Sequence, residues 1–250
     1  NSSPDYLGCM TNFILHERLT APYTNLAENV KRGGQIFEQS NMTVENDVWV
    51  EFARSVAPLM KFVAPRVADL IISQRGRNEP MKVLDISAGH GLYGLAFATQ
   101  NPNATVVAVD WENVLQVALE NAAKFNVADR FSILSGDANT MDSFGSDFDV
   151  ALVPNFIHHF DFPTNVKLLE KVYACLKPGG VVVIVEFITN DTRTAPDDSV
   201  MFGIVMLSTT SHGDAYSGSE LSDMCVQAGF KNPKKSSFWF IPAGVITATK

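Results

Sequence analysis

Short apolar runs separated by helix-like stretches dominate the chain after residue 80. The runs are MKVLDI (81–86), ATVVAVD (104–110), RFSILS (130–135), FDVALVP (148–154) and VVVIVEF (181–187). Between them lie stretches with helical spacing, such as WENVLQVALENAAKFN (111–126) and NVKLLEKVYACLK (165–177). Strands that alternate with helices predict a parallel sheet with helices on both faces.

The two ends of the chain depart from this alternation. Residues 1–78 are predicted to be helical, and apolar residues recur at helical spacing at Val48, Phe52, Val56, Met60 and Val67. Pro58 and Pro65 are expected to bend or interrupt that helix. FKNPKKSSFWF and GVITATK predict two strands that close the sheet as an antiparallel pair. The predicted fold class is α/β: a doubly wound, mostly parallel seven-stranded sheet with a C-terminal antiparallel hairpin in residues 79–250, preceded by the helical segment 1–78.

The loop VLDISAGHGLYG (83–94) raises the question of which ligand this sheet binds. Gly89, Gly91 and Gly94 have the spacing of a dinucleotide-binding turn. Asp110 ends the second strand, where a carboxylate can accept both ribose hydroxyls of any adenosine. These residues are compatible with NAD and with S-adenosylmethionine, so they leave an NAD-dependent oxidoreductase open.

Polar residues after the other strands favour the methyl donor. Asp85, near the end of the first strand, can order the turn or receive the amino group of a methionyl moiety. The dinucleotide-binding motif does not require an aspartate at this position. Asp137 follows the third strand, where it can accept from an adenine amino group, and Asn155 follows the fourth. LKPGG then makes a tight turn into the fifth strand. This ordered set favours S-adenosylmethionine.

The chain from about Met81 to Lys250 resembles the class I S-adenosylmethionine-dependent methyltransferases. It is most similar to the small-molecule O-methyltransferase family, which includes plant phenolic and acetylserotonin-type enzymes and bacterial relatives. The segments that carry this resemblance are VLDISAGHG, VVAVDW, SGDA, NFIHHF, LKPGGVVVIVEF and FGIVMLSTTSHGDAYSGSELSDMCVQAGF. SPDYLG and the helix with Trp49 and Phe52 resemble the linker helices of that family. Ser87 departs from the pattern, because it stands where the usual loop has its first glycine.

The resemblance implies a set of cofactor contacts. Gly89 and Gly91 would lie against the amino-acid end of the cofactor and Asp110 on its ribose, whereas His90 is expected to point to solvent. The complete set of expected cofactor-binding residues is Asp85, Ser87, Gly89, Gly91, Asp110, Trp111, Asp137, Ala138 and Asn155. Trp111 would pack on adenine or, alternatively, cover the core as a helix-start residue.

The expected catalytic group is a neutral histidine that removes the proton of the acceptor, because its pKa lies near the operating pH. The family's catalytic histidine occupies a His-Asp-Trp stretch after the fourth strand, and His158-His159-Phe160 falls on that stretch here. His158 is therefore the candidate base and His159 the second candidate. Asp161 and Glu186 are the candidates for orienting the ring, and the alternative role of Glu186 is to cap the edge of the sheet. Because this triplet is altered, the alternative that the chain is a non-catalytic relative that binds the cofactor also remains open.

The expected substrate residues come from DSVMFGIVMLS and TTSHGDAY. Met201, Phe202 and Met206 have helical spacing, and the resemblance places this helix and His212 at the acceptor pocket. Such a lining suits an aromatic or otherwise apolar hydroxylated small molecule. The residues do not distinguish oxygen from carbon or nitrogen as the methylated atom.

Composition restricts the partners. The net charge is −8 and the pI is near 5.1, which argues against a nucleic-acid partner. Cys9, Cys175 and Cys225 are too few and too widely spaced for a zinc site or a disulfide framework, so no metal is expected and the cytoplasm is the predicted location. No apolar run reaches the roughly 20 residues that cross a bilayer, so no membrane partner is expected.

The first residue is Asn1 rather than Met, which suggests a trimmed product. Relatives of the family that the chain resembles carry an N-terminal winged-helix segment that swaps across a dimer. We therefore expect a homodimer of the full-length protein, with residues 1–78 as the linker and dimerisation segment. The alternative is that these helices pack on the sheet and complete a monomer.

Overall fold

The computed structural model describes residues 6–36, 48–237 and 243–250. Ahead of the sheet, the described helices are α1 Met10–Ile14, α2 Glu17–Thr20, α3 Leu26–Arg32 and α4 Val48–Arg75. The strands are β1 Met81–Ile86, β2 Ala104–Asp110, β3 Phe131–Ser135, β4 Phe148–Pro154, β5 Leu176–Glu186, β6 Lys231–Ser237 and β7 Gly244–Thr249. The helices that alternate with them are α5 Leu92–Gln100, α6 Glu112–Lys124, α7 Phe162–Cys175, α8 Asp197–Thr209 and α9 Gly218–Gln227.

The seven strands in the described ranges form a single sheet in the order β3-β2-β1-β4-β5-β7-β6. The first five are parallel, and Val83 of β1 lies opposite Val106 of β2 and Val150 of β4. Strand β7 inserts antiparallel beside β5, with Ile246 opposite Ile184, and β6 pairs antiparallel with its outer edge. The predicted fold class is confirmed, including the C-terminal antiparallel pair.

Apolar side chains fill both faces of the sheet, which is why its strands read as near-continuous apolar runs. On one face, α4, α5 and α6 pack on β1 and β2 around residues such as Val67, Phe97 and Leu115. On the other face, α7 and α9 pack on β4 and β5 around residues such as Leu168 and Met224. This layering leaves the carboxyl ends of the parallel strands as the edge at which a ligand can bind.

Of the two effects expected of Pro58 and Pro65, the interruption is wrong, because helix α4 runs unbroken through both residues. Each proline lacks the N–H that an interior helical position normally donates. The buried residues Val63, Ala64 and Val67 pack against α5, and this burial stabilises the helix around the missing bonds. Because α4 shares a core with the sheet domain, the division of the chain at residue 78 stays a prediction.

Within the described ranges, no helix is both long enough and apolar enough to cross a bilayer. The same residues contain no group of three or more His, Cys, Asp or Glu side chains that could hold a metal ion. Cys175 and Cys225 are buried free thiols, and burial raises their pKa values to about 11 and about 12.

Candidate active site

A cavity of about 480 Å³ lies at the carboxyl ends of the parallel strands. Segments that follow β1 to β5 line it, and most of its helical lining comes from α1, α4 and α8. The sequence-predicted residues that it brings together are Ser87, Gly89, Asp110, Trp111, Asp137, Ala138, Asn155, His158, His159, Phe202, Met206 and His212. Asp85, Gly91, Glu186 and Met201 are not among the lining residues.

The loop between β1 and α5 provides space for a ligand close to its backbone. Ser87, Gly89 and Gly91 have left-handed φ values of 54°, 55° and 72°. A Cβ added at Gly89 would meet only the Ser87 carbonyl oxygen, 4.0 Å away, whereas one at Gly91 would lie 2.9 Å from the Ala118 Cβ. Serine adopts this conformation at a cost that glycine avoids, which explains why glycine is usual at this position.

Asp85 lies beneath this loop and is fully buried. Its Oδ2 accepts a hydrogen bond of 2.9 Å from the Gly94 N–H, in the first turn of α5. Its Oδ1 has no hydrogen-bond partner among the described residues. Burial raises the pKa of this carboxyl group to about 7, since desolvation disfavours the charged form. Of its two predicted roles, Asp85 occupies the position that orders the turn.

Asp110 presents a carboxylate to the cavity. Its Oδ2 accepts from the Gly89 N–H and its Oδ1 from the Trp111 N–H, both at 2.8 Å. Each carboxylate oxygen has two lone pairs, so each retains one that can accept a further hydrogen bond. Burial raises the pKa of Asp110 to about 6, so the group is mainly ionised at neutral pH. This acceptor pair fits the two adjacent hydroxyls of a ribose, as an adenosine cofactor requires.

The segment after β3 forms the adjoining wall. Asp137 and Ala138 line the cavity, and Asp137 Oδ1 accepts from the Asn139 N–H at 2.8 Å. Trp111, the N-cap residue of α6, lines the cavity and also belongs to a buried cluster with Ala53. Trp111 therefore covers the core, as one alternative expects, and it also borders the cavity, whereas its contact with adenine stays a prediction.

Lys171 on α7 is a residue that the sequence analysis missed. Its Nζ donates three hydrogen bonds, to the carbonyl oxygens of Ala138 at 2.6 Å, Asn139 at 2.8 Å and Met141 at 3.1 Å. These bonds use all three donors of the ammonium group and hold the backbone of the segment after β3. A lysine on an amphipathic helix is usually solvated, so the sequence contains no signal for this contact.

Substituting Lys171 with Met should raise the dissociation constant of S-adenosylhomocysteine roughly tenfold, because three carbonyl oxygens lose a charged donor. The turnover number at saturating cofactor should change less than the dissociation constant, because the contact lies on the cofactor side. Lys167→Met, an exposed position on the same helix, is the matched control. Calorimetric affinity of K171M equal to that of K167M would contradict this role, and K171R should recover part of the loss.

His158 and Glu186 form a buried pair at the ends of β4 and β5. The His158 Nδ1 lies 2.6 Å from Glu186 Oε2, and their side chains are 7% and 4% exposed. Glu186 Oε1 also accepts from the Phe156 N–H at 2.9 Å, which fixes the carboxylate. With Nδ1 as the donor to Glu186, Nε2 carries the lone pair, and no described residue hydrogen-bonds to it. Glu186, not Asp161, thus orients the ring.

His159 is a second cavity-lining imidazole with different surroundings. Its ring packs edge-on against Trp49 at 5.3 Å and lies 4.3 Å from the His158 ring. Burial and then repulsion by His158 lower its pKa well below the ordinary value, so it is neutral at physiological pH. No described carboxylate pairs with this ring, in contrast to His158.

The 3₁₀ turn Ile157–His159 that carries both histidines is fixed from several sides. Asn165 Nδ2 donates to the Ile157 carbonyl at 2.9 Å, and Tyr216 Oη donates to the Phe160 carbonyl at 2.6 Å. The loop after α8 packs directly on the turn, since the Asp214 N–H donates to the His158 carbonyl and a Cβ added at Gly213 would overlap that oxygen. The base candidate therefore sits on a rigid support.

The position of the loop histidine His90 differs from expectation. The expectation that His90 points to solvent is wrong: it is 5% exposed, its Nδ1 accepts from the Leu92 N–H at 3.1 Å, and burial lowers its pKa to about 4.

Asn155 has a left-handed φ of 51° and its Nδ2 lies 3.5 Å from Tyr93 Oη. Tyr93 and Met60, which contact each other at 3.3 Å, line the cavity and were not predicted.

Helix α8 contributes part of the expected substrate wall. Phe202 and Met206 line the cavity, and the Phe202 ring packs edge-on against His158 at 4.8 Å. Met201 is 62% exposed and lies outside the cavity lining, because its side chain points about 100° around the helix axis from that of Phe202. His212, in the loop after α8, is exposed at the rim.

Comparison with known proteins also indicates a methyltransferase. Residues 83–180 match the family model described as a methyltransferase domain. A crystal structure of a Nostoc punctiforme protein assigned as an O-methyltransferase has 41% sequence identity to this chain and a TM-score of 0.92. That alignment covers 98% of this chain and 73% of the Nostoc chain.

Curated relatives are more distant. Acetylserotonin O-methyltransferase of Gallus gallus is 27% identical over 214 residues, which cover 82% of this chain and 60% of the relative. The 3-hydroxy-5-methyl-1-naphthoate 3-O-methyltransferase of Streptomyces sahachiroi is 28% identical over 148 residues, which cover 59% of this chain and 42% of the relative. The chain thus spans about half the length of these curated relatives. With the fold, the family model and the Nostoc relative in agreement, the chain belongs to the O-methyltransferase family of class I S-adenosylmethionine-dependent methyltransferases.

Proposed function

We propose that this protein transfers a methyl group from S-adenosylmethionine to a hydroxyl group of an aromatic or otherwise apolar small molecule. The observation that carries the proposal is the buried His158–Glu186 pair, whose histidine lines the same cavity as Asp110. The names of two relatives support the acceptor class, since acetylserotonin and a hydroxynaphthoate are both hydroxylated aromatics.

The cofactor would occupy the end of the cavity formed by the segments after β1, β2 and β3. Asp110 would hold its ribose, Asp137 and Trp111 would flank its adenine, and the loop at Gly89 would face its amino-acid end. When bound, S-adenosylmethionine supplies a methyl group already activated by a sulfonium. The chemical tasks left to this chain are alignment of the acceptor and removal of its proton.

His158 performs the proton transfer in this proposal. Neutral His158 accepts the proton of the acceptor hydroxyl at Nε2, and its Nδ1–H remains hydrogen-bonded to Glu186. The Glu186 carboxylate stabilises the imidazolium that forms, because opposite charges attract strongly in a buried site. The Phe202 ring packs edge-on against His158, and the pair is almost completely buried, so little water reaches it.

Incubation of the full-length protein with S-adenosylmethionine and a panel of hydroxylated aromatics should yield O-methylated products, identified by mass spectrometry. In parallel, calorimetry should detect S-adenosylhomocysteine binding and no NAD binding. Binding without any methylation would favour the non-catalytic hypothesis, and binding of NAD in place of S-adenosylhomocysteine would favour the oxidoreductase hypothesis. If the products are methylated on carbon or nitrogen, the proposed acceptor group is wrong and only the assignment of the cofactor remains.

The assembly and location of the protein are also proposals. We expect a homodimer of the full-length protein in the cytoplasm, without nucleic-acid or membrane partners. Leu7, Ile14 and Leu15 support an association surface in the N-terminal helices, because each is at least 45% exposed. Sedimentation of the full-length protein measures the oligomeric state directly.

A further inference from the structure

We propose that His90 binds the cofactor directly, and that its Nε2–H donates a hydrogen bond to the carboxylate at the amino-acid end of S-adenosylmethionine. The inference rests on the proposed function in one respect, because it concerns the cofactor on which that function depends. It adds a side chain that is expected in solvent from the sequence but that the structure buries at the cavity.

The loop itself fixes the tautomer of His90. The ring Nδ1 accepts a hydrogen bond of 3.1 Å from the Leu92 N–H, so Nδ1 carries the lone pair. Burial lowers the pKa of His90 to about 4, so the ring is neutral at physiological pH. A neutral imidazole carries its proton on the nitrogen that is not the acceptor. Nε2 is therefore a hydrogen-bond donor.

This donor reaches the cavity without a partner from the described part of the chain. His90 lines the cavity and is 5% exposed, and no described residue accepts a hydrogen bond from its Nε2. The described side-chain polar atoms that are completely buried and lack a partner are Asp85 Oδ1, Asn165 Oδ1 and Ser199 Oγ. Nε2 is not one of these atoms, so it keeps accessible surface, and that surface opens on the cavity that His90 lines.

Neighbouring residues hold His90 in this position. Asn121 Nδ2, on α6, donates to the His90 carbonyl at 2.9 Å. The ring centroid lies 6.1 Å from that of Tyr93, which also lines the cavity. Gly89 and Gly91 flank His90, and the loop at Gly89 would face the amino-acid end of the cofactor. The imidazole therefore lies at the end of the cavity where that carboxylate is expected.

The backbone of the loop is largely occupied by contacts within the protein. Four of its N–H groups donate to other parts of the chain, and they belong to Gly89, Gly91, Leu92 and Gly94. An anion at the start of a helix commonly binds such N–H groups. Because these four are engaged, the imidazole supplies a donor in their place. An N–H donor cannot bind the ammonium of the amino-acid end, which has only donors, so the carboxylate is the partner.

Two ligands that differ in the carboxylate test this contact. S-adenosylhomocysteine carries the group, and decarboxylated S-adenosylhomocysteine lacks it but keeps the ammonium and the adenosine. Calorimetric titration of each ligand into the full-length protein gives the ratio of their dissociation constants. This ratio reports on the carboxylate, because any effect on the shared parts of the ligands cancels.

Two variants separate the donor of His90 from its role in the loop. His90→Asn can keep the bond to the Leu92 N–H, since the amide oxygen takes the place of Nδ1, but it removes the Nε2–H. We expect H90N to bind S-adenosylhomocysteine about tenfold more weakly, the scale of a lost hydrogen bond to a charged group, and the decarboxylated ligand nearly as well as wild type. His90→Gln keeps an N–H near the position of Nε2 and should retain most of the preference for the carboxylate. Asp110→Asn should weaken both ligands alike, because both contain the ribose.

The outcomes that contradict the inference are distinct from a failure of the proposed function. If H90N loses affinity equally for both ligands, or for neither, His90 does not bind the carboxylate. A crystal structure of the wild-type protein with S-adenosylhomocysteine gives the answer without a variant. Nε2 within about 3.2 Å of a carboxylate oxygen supports the inference, and a carboxylate bound elsewhere overturns it. These measurements need no turnover, so they decide the role of His90 even if no acceptor is methylated. If wild type binds neither ligand, the cofactor assignment is wrong, and the inference with it.

Discussion

His158→Gln is expected to lower the turnover number by roughly 10²-fold or more, the usual range for a removed general base. The glutamine amide can still donate to Glu186, so the turn that carries the residue should keep its structure. The Nε2 lone pair, which no described residue engages, is lost. Affinity for S-adenosylhomocysteine should stay within a few-fold of wild type, because Asp110 and the loop at Gly89 are untouched.

The matched control for the base is His159→Gln. His159 has no described carboxylate partner, so its substitution should reduce turnover much less. Single-turnover kinetics with the best acceptor from the panel would compare the two variants. Equal losses in both variants, or no loss in either, would mean that alignment alone carries the reaction and that the assignment of His158 is wrong.

Asp110→Asn is expected to weaken S-adenosylhomocysteine binding by about 10- to 100-fold. The carboxylate has one remaining lone pair on each oxygen for a ribose hydroxyl, and each charge-assisted bond contributes about 1.5 to 3 kcal/mol. Asn presents a single acceptor oxygen, and its amide must also face the Gly89 or Trp111 N–H. Calorimetric titration at neutral pH measures the change.

The pH dependence separates Asp110 from a general structural effect. Burial raises its pKa to about 6, and the hydroxyl donors bind the ionised form. Wild-type affinity should therefore be constant above about pH 7 and fall as the pH drops through 6, where the carboxyl group takes up a proton. D110N lacks this titration, so its affinity should change less over the same range. If the affinity of wild type and that of D110N change with pH in the same way, the assignment of Asp110 as the ribose-binding carboxylate is wrong.

The fold was predictable because the parallel strands are buried on both faces. Runs such as ATVVAVD and FDVALVP match β2 and β4 residue for residue. The sequence also located the ligand edge, since Asp110 and Asn155 stand at strand ends. The start of strand β5 differs from the prediction. The strand begins at Leu176 and includes Gly179, whereas the sequence predicts a turn at LKPGG.

The contacts that could not be predicted connect elements far apart in the chain. Lys171 binds carbonyl oxygens about 30 residues away in the chain. Every residue has a backbone carbonyl, so the sequence does not show which of them accept a hydrogen bond from a side chain. His90 reads as a solvated loop residue until the packing of α5 buries it. Met201 and Phe202 are adjacent in sequence, and only the orientation of α8 decides which of them lines the cavity. The choice between Asp161 and Glu186 likewise required the register of β4 against β5.

The close approach of Gly213 to the His158 carbonyl restricts which residues at the cavity rim can be substituted. The rim residue His212 and its neighbour Ser211 can be exchanged for larger or smaller side chains, because both are exposed. Gly213 cannot, because any side chain there displaces the peptide that carries the proposed base. Random mutagenesis for new acceptors should therefore accumulate changes at the rim and leave this glycine untouched.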